Sequence, residues 1–540
     1  MSKHVPVAGS EWWRSGVIYQ IYPRSFADSN ADGMGDLPGI TANLEAIAEL
    51  GVDAIWLSPF YTSPQKDGGY DVSDYKDVDP LFGSLSDFDD LVAKAHQLDL
   101  RVMIDLVPNH TSDKHPWFQR AINSPIGSAE RNYYHFKEGQ GDNPPNNWQS
   151  MFGGPAWTRL EDGQWYLHLF DSSQPDLNWE NPVVREEFEA ILRFWLDRGI
   201  DGFRVDQPHA MGKQAGLPDH PYVAQAGAGF IEGLPDPPMW FQDSVHEIFR
   251  SWRKILESYP GERAMCGEAY VLPLSKMALW VRPDEFHQTF NFRFLDAGWD
   301  QEALVSAIDE SFDAFDSVGA PSTWVLNNHD VIRHASRFGG DYGRATASDG
   351  IGPDGPQPNT ELGLKKARAA TLFMLGLPGA SYIYQGEELG LPEHTTIPAE
   401  FRQDPTFYRT QGVRVGRDGA RVPLPWIKGG KTNGFSESDS AWLPQPESFA
   451  GLSRDQQTDP ESTLEMYKSA LNLRGDLELG QGSFDWVSKG ELLCYQNNNV
   501  LVIHNFSDQS QRLPEGKVLI QSGKMQDGLL PPDVTAWLAL

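Results

Sequence analysis

"GVIYQIYPRSFADSNADGMGDLPGITANLEAIAELGVDAIWLSP", residues 16–59, decides the fold. GVIYQIYP (16–23) reads as a buried strand. After a short acidic loop, Ile40, Leu44 and Ile47 fall at helical spacing, and Gly51 stops that helix. VDAIWLSP (52–59) is the next strand. Strand, helix, strand is a βαβ unit, and its crossover makes the two strands parallel.

The unit recurs along the chain. Ser86 and Asp89 form a capping-box-like start, Phe88, Val92 and Ala95 share a helical face, and RVMIDLV (101–107) is a third strand. Phe188, Ile191, Leu192 and Trp195 form another apolar face, Gly199 ends it, and IDGFRVD (200–206) follows as a strand. RAMCGEAY (263–270), STWVLNNHD (322–330) and SYIYQGEELG (381–390) read as further strands. Repeated strand–helix alternation predicts an α/β fold, a (β/α)8 TIM barrel.

Residues 109–178 interrupt the pattern with loop chemistry such as NPPNNWQSMFGGPAWT (143–158), too long for a βα loop. They are expected to form an inserted domain B within a barrel made of 1–108 and 179–476. A second long loop runs from about 391 to 460. From 477 to 540 the pattern becomes all-β, with ELLCYQ-NNN-VLVIHNF reading as a hairpin, so a C-terminal β-sandwich domain is expected.

The 540 residues are 40% hydrophobic and carry a formal net charge of −31. Such a surface repels nucleic acid and anionic membranes, which excludes both as expected partners. The two cysteines, Cys266 and Cys494, form no CxxC, which argues against a disulfide framework or a thiolate zinc site. No apolar leader is visible at the start, and the most apolar stretch (369–384) is broken by Pro378 and Gly379. A cytoplasmic protein is expected.

Three strands end in acids. In GFRVD, Arg204 and Asp206 share a face; Glu268 lies near the end of its strand; Asp330 is expected to end its strand beside His329. In a barrel, C-terminal strand ends converge on the active site. Glycoside cleavage uses this inventory: one carboxylate attacks the anomeric carbon, and a second carboxyl protonates the leaving oxygen. Arg204 suits the task of keeping a nucleophile ionised.

Here the sequence resembles the α-amylase superfamily, glycoside hydrolase family 13. DLVPNH (105–110), GFRVD (202–206), GEAY (267–270) and NNHD (327–330) match four motifs in order, and QPDLN (174–178) matches a fifth in the form of the oligo-1,6-glucosidase and α-glucosidase branch. The resemblance implies Asp206 as nucleophile, Glu268 as general acid/base and Asp330 as the third acid. It implies His110 and His329 on the bound glucose, with Asp105 and Asn109 as scaffolding. DGGYDVSDY supplies Asp67 and Tyr70, and GRDGARVPLPW supplies Arg417. In the relatives, the counterparts of Asp67 and Arg417 clamp the non-reducing end and close the pocket. Two positions depart from the pattern: Gly68 in the first of these stretches, and Gln207, where relatives carry Val, Thr or Ala after the nucleophile. Gln207 leaves linkage preference and the balance of hydrolysis and transfer open.

DSNADGMGD (28–36) looks at first like half an EF-hand, with acidic or amide residues at alternate positions and a Gly at the sixth. The twelfth position is Gly39 rather than Glu, and a strand precedes the loop, so the EF-hand reading fails. The resemblance implies a structural Ca2+ held by Asp28, Asn30, Asp32, the Met34 carbonyl and Asp36. The expected activity is that of a retaining exo-α-glucosidase acting on small-molecule α-glucosides such as maltose, sucrose or isomaltose. The alternatives are a glucosyltransferase or isomerase of the trehalose synthase or sucrose isomerase type, and a non-catalytic sugar-binding barrel.

Overall fold

The computed structural model describes residues 4, 9–221, 236–343, 349–525 and 527–540. Apart from His4, the first eight residues, read above for a leader, lie outside the described residues. Eight parallel strands run round a barrel: β1 (Val17–Ile21), β2 (Ala54–Leu57), β3 (Arg101–Leu106), β4 (Gly202–Val205), β5 (Ala264–Gly267), β6 (Gln288–Thr289), β7 (Thr323–Val325) and β8 (Ala380–Tyr384). Neighbours in the barrel are neighbours in sequence, and β8 returns to β1 with Ser381 opposite Val17. Among the described residues no ladder joins β6 to β7. β6 is the strand that the sequence reading passed over, because two residues are too few to show a period.

Helices alternate with these strands: α1 (Leu37–Ala48), α2 (Leu85–Gln97), α3 (Pro182–Asp197), α4 (Val245–Glu257), α5 (Leu274–Met277), α6 (Gln301–Asp316), α7 (Thr360–Leu375) and α8 (Thr463–Asp476). Asp36 caps α1 by accepting from Gly39 N at 2.7 Å, and Gly51 leaves the helix at φ +91°. α2 is capped at Ser84, two residues earlier than expected. Its capping box is Ser84 with Asp87, whose Oδ2 accepts from Ser84 N at 2.8 Å. Both Ser84–Asp87 and Ser86–Asp89 satisfy the pattern, but Gly83 at φ +123° turns the chain just before Ser84. Asp89 instead pairs with Arg198 at 2.8 Å.

The period of two along each strand divides the core. Tyr19, Ile55, Leu57, Val102, Ile104, Phe203 and Met265 pack outward in the cluster shared with the helices. Ile18, Ala54, Trp56, Met103, Ala264, Cys266, Val325 and Tyr382 fill the barrel interior. On three neighbouring strands this inner row turns polar toward the C-terminal end: Met103 gives way to Asp105, Gly202 to Arg204, and Cys266 stands opposite Arg204 with Glu268 two residues on.

Between β3 and α3 lie a helix (Pro116–Asn123) and a three-stranded antiparallel sheet formed by Phe136–Glu138, Gln164–Leu167 and Trp157–Arg159. The long segment after β8 holds only short helices and reaches the insertion, where Arg409 Nη1 donates to Asp171 Oδ1 at 3.0 Å. The C-terminal part is a five-stranded antiparallel sheet, with β9 (Asp485–Lys489), β10 (Leu492–Asn497), β11 (Val500–Asn505), β12 (Lys517–Gln521) and β13 (Thr535–Ala539) in the order β9-β10-β11-β13-β12, and a separate two-stranded ribbon. The β10–β11 turn is shorter than expected. Asn497 pairs with Val500, so the loop is Asn498–Asn499, with Asn498 at φ +51°. Trp537 Nε1 donates to Leu372 O at 2.9 Å and fastens this sheet to α7.

Candidate active site

The site is built on the C-terminal ends of β3, β4 and β5. Register places Asp105 beside Arg204, and alternation turns both inward. Arg204 is fully buried and makes contact with three carboxylates. Its Nη1 donates to Asp105 Oδ1 and to Asp206 Oδ1, each at 2.8 Å. Its Nη2 lies 2.6 Å from Glu268 Oε2, an ion-pair contact off the hydrogen-bond direction. Asp206 and Glu268 thus share one guanidinium.

Burial pushes the Asp206 and Glu268 carboxyls up, Arg204 pulls both down, and the net direction for both is upward. Each carboxyl also acts on the other, so the two titrate as a pair. Burial also lifts Asp105 to about 7 against the pull of Arg204. Asp105 Oδ2 accepts from Tyr70 OH at 3.1 Å and Trp56 Nε1 at 3.2 Å.

Asp330 lies in the loop beyond β7, which ends at Val325, rather than at the strand end as expected. Asn327–His329 instead fold toward a side-chain turn in which Asn328 Oδ1 accepts from Asp330 N at 2.8 Å. Burial raises the Asp330 carboxyl, but the charges of Arg417 and Arg421 reverse this and hold it far below the usual carboxylate range. Arg417 Nη1 and Arg421 Nη2 donate to its Oδ1 at 2.9 and 2.7 Å. Asp330 is also the most open of the three acids, with a quarter of its side chain exposed.

Arg417 joins three loops. Besides Asp330, its Nη2 donates to Asp67 Oδ1 at 2.7 Å and its Nε to Asp404 Oδ2 at 2.6 Å. The Asp67–Arg417 pairing expected from sequence is present, and both side chains are buried. Gln174, from QPDLN, donates to Asp67 Oδ2 at 3.1 Å.

The two histidines are neutral. Burial pushes His110 down to about 4 and His329 well below its usual value. Gln20 Nε2 donates to His329 Nδ1 at 2.7 Å, which leaves Nε2–H to donate to Tyr70 Oη at 2.7 Å. Tyr70 and His329 also stack, with ring centroids 5.4 Å apart. His110 Nε2–H donates to the Tyr70 carbonyl at 3.1 Å. Thus Asp67, Tyr70, His110, Arg204, Asp206, Glu268, His329, Asp330 and Arg417 form one connected network.

Sequence reading missed Asp404, Arg421 and Gln20. The first two sit in the irregular segment after β8, where no period marks an inward side chain. Gln20 was legible by alternation, two residues after the inward Ile18.

The loop 28–36 lies on the β1–α1 connection, apart from this network. Asp28 accepts from the Asn30, Ala31 and Gly33 amides, Asn30 from Asp32 N, and Asp32 from Met34 N. Among the described residues no three His, Cys, Asp or Glu side chains form a ready metal cluster. The donors nevertheless fit a hard cation: all are oxygens, each keeps lone-pair capacity, and Asp28 adds to the upward push of burial on Asp36.

The family model for the alpha amylase catalytic domain matches residues 20–481. The chain belongs to the α-amylase family. It is 39% identical over 526 residues to a probable alpha-glucosidase of Rhizobium meliloti, covering 93% of this chain and 90% of that one. It is 34% identical over 549 residues to an oligo-1,6-glucosidase of Parageobacillus thermoglucosidasius, covering 93% and 92%. The solved structure of an alpha-glucosyl transfer enzyme, XgtA, superposes with a TM-score of 0.84 at 36% identity, over 98% of this chain and all of that one. Family membership and the barrel with its inserted and C-terminal β parts therefore agree.

Proposed function

We propose that the protein is a retaining, exo-acting α-glucosidase that removes terminal glucosyl units from short α-glucosides. The observation that carries this reading is the pair Asp206 and Glu268 held on one buried guanidinium. Inverting enzymes separate their carboxyls by roughly 6.5–9.5 Å to admit a water, whereas retaining ones keep them at about 5 Å. Two carboxyls that share one guanidinium are kept close, as the retaining kind requires.

In the proposed sequence, Asp206 attacks the anomeric carbon while Glu268 protonates the departing oxygen. Arg204 stabilises the carboxylate form of Asp206. Glu268, now ionised, takes a proton from water, and that water releases glucose with the original configuration. Asp330, kept ionised by two arginines, faces the positive charge that develops on the sugar. Asp67, pinned by Arg417, caps the pocket and limits it to one terminal unit.

The test is release of glucose from p-nitrophenyl α-glucoside by the wild type and by Asp206→Asn, with the product anomer followed by NMR. Expected are an active wild type, an inert variant and α-glucose as first product. An inactive wild type, or β-glucose as the only first product, would refute the reading.

Glucosyl transfer is a second reading, favoured by the likeness to an alpha-glucosyl transfer enzyme. The same glucosyl-enzyme serves both outcomes when a sugar displaces water, and products formed from concentrated maltose separate them. The reading also includes a structural Ca2+ on Asp28, Asn30, Asp32, Met34 and Asp36, bracing the β1–α1 loop. Chelation is expected to lower the melting temperature while kcat stays the same, and metal analysis gives one ion per chain. Unchanged melting with no metal found would remove this part. A cytoplasmic location fits two thiols, Cys266 and Cys494, that are buried and unpaired. Among the described residues no helix is long and apolar enough to cross a membrane.

A further inference from the structure

Gln207, the residue that departs from the relatives, reaches into the catalytic pair. Its backbone is left-handed, at φ +41° and ψ +45°, a conformation rare for a residue with a side chain. Such a kink just after β4 sits at the start of a short turn of helix (Pro208–Ala210) and reverses the chain where the strand ends. The side chain crosses to the next strand, and Nε2 donates to Glu268 Oε2 at 2.9 Å. That same oxygen is the one facing Arg204 Nη2 at 2.6 Å.

A carboxylate oxygen has two in-plane lone pairs. Glu268 Oε2 accepts one neutral N–H, from Gln207, and stands 2.6 Å from the charged Arg204 Nη2. A proton on that oxygen would meet both groups head on. The other oxygen, Oε1, faces neither of them.

We propose that Gln207 is a positioning residue for the acid/base: it pins Oε2 of Glu268 as a hydrogen-bond acceptor and so assigns the travelling proton to Oε1. The proposal rests on the α-glucosidase reading above. In the first step the Oε1–H bond breaks and its proton goes to the glycosidic oxygen as that oxygen leaves carbon 1, while Asp206 forms the ester. In the second step water gives a proton to Oε1, its oxygen bonds to carbon 1, and the ester bond to Asp206 breaks. Atoms and charge balance, and Oε2 keeps the Gln207 donor and the Arg204 charge beside it throughout. An amide N–H favours the ionised form of its acceptor, and Gln207 accordingly acts on Glu268 in the lowering direction, against burial.

The experiment compares Gln207→Leu, which removes the donor at similar size, and Gln207→Glu, which keeps the shape and reverses the polarity. Each is assayed across pH on maltose, whose leaving group needs its proton, and on p-nitrophenyl α-glucoside, whose leaving group needs it less. A misplaced acid is expected to cut kcat/KM on maltose by about 10-fold, with a much smaller loss on the aryl glucoside. The alkaline limb on maltose is expected to move to higher pH in the Leu variant and further in the Glu variant, because a lost donor and an added negative charge both favour protonated Glu268. Equal losses on the two substrates with unmoved limbs would overturn the proposal. If the Leu variant does not fold, the isosteric Glu variant carries the test by itself. A wild type inert on both substrates would instead refute the α-glucosidase reading, so the two failures are distinct.

Discussion

Replacing Arg204 by Lys keeps the charge and removes the fork. In the native site Nη1 lies 2.8 Å from both Asp105 and Asp206, and Nη2 lies 2.6 Å from Glu268. Lysine carries one nitrogen on a flexible stem, so it cannot hold all these contacts at once. At least one buried charge-assisted contact is lost, worth about 1.5–3 kcal/mol. If the loss falls on the reacting pair, kcat/KM drops about 10- to 150-fold. The sign of the pH effect follows from the same geometry. Arg204 opposes the upward push of burial on both Asp206 and Glu268, so weakening it lets both carboxyls rise. The nucleophile must be ionised, hence the acidic limb of kcat/KM moves to higher pH. Initial rates on p-nitrophenyl α-glucoside from pH 4 to 9 read this directly, with circular dichroism as the control for folding. A folded Arg204→Lys enzyme with native kcat/KM and an unmoved acidic limb would show that the guanidinium does not govern the pair.

Asp404 offers a test of stability against pH. Burial raises its carboxyl, and Arg417 and Arg421 more than reverse this, leaving it well below the ordinary range. A depressed folded value gives stability that is present above the unfolded value of about 3.9 and is lost as pH falls through the folded one. Asp404→Asn is therefore expected to lower the denaturation midpoint most at neutral pH and progressively less below pH 4; a penalty that grows in acid would contradict this. Gly68→Ala is expected to cost about 1–2 kcal/mol, since φ is +59° and a Cβ would stand 2.7 Å from the Tyr22 hydroxyl. A melting temperature equal to the wild type would show that Tyr22 yields freely.

Much of the barrel was legible because its strands are buried on both faces and its helices are amphipathic. Local period and punctuation place β1, α1 and β2 within the first 60 residues. The same period of two puts Asp105, Arg204, Asp206 and Glu268 on the inner wall. What could not be read locally was of two kinds. Elements such as β6, or the choice between two capping boxes at α2, were too short or too ambiguous to leave a period. Contacts such as Gln207 to Glu268 and Arg421 to Asp330 join separate loops, and no spacing along the chain encodes them.

The sequence by itself determined which residues face the barrel axis and which chemistry stands at its mouth, because side-chain direction alternates with a period set by the backbone. Only the tertiary structure decided how those charges are shared. Buried carboxylates take their protonation from burial and from whichever cations the folded loops bring within about 3 Å. Here those cations are Arg204 from the barrel wall and Arg417 and Arg421 from the segment after β8.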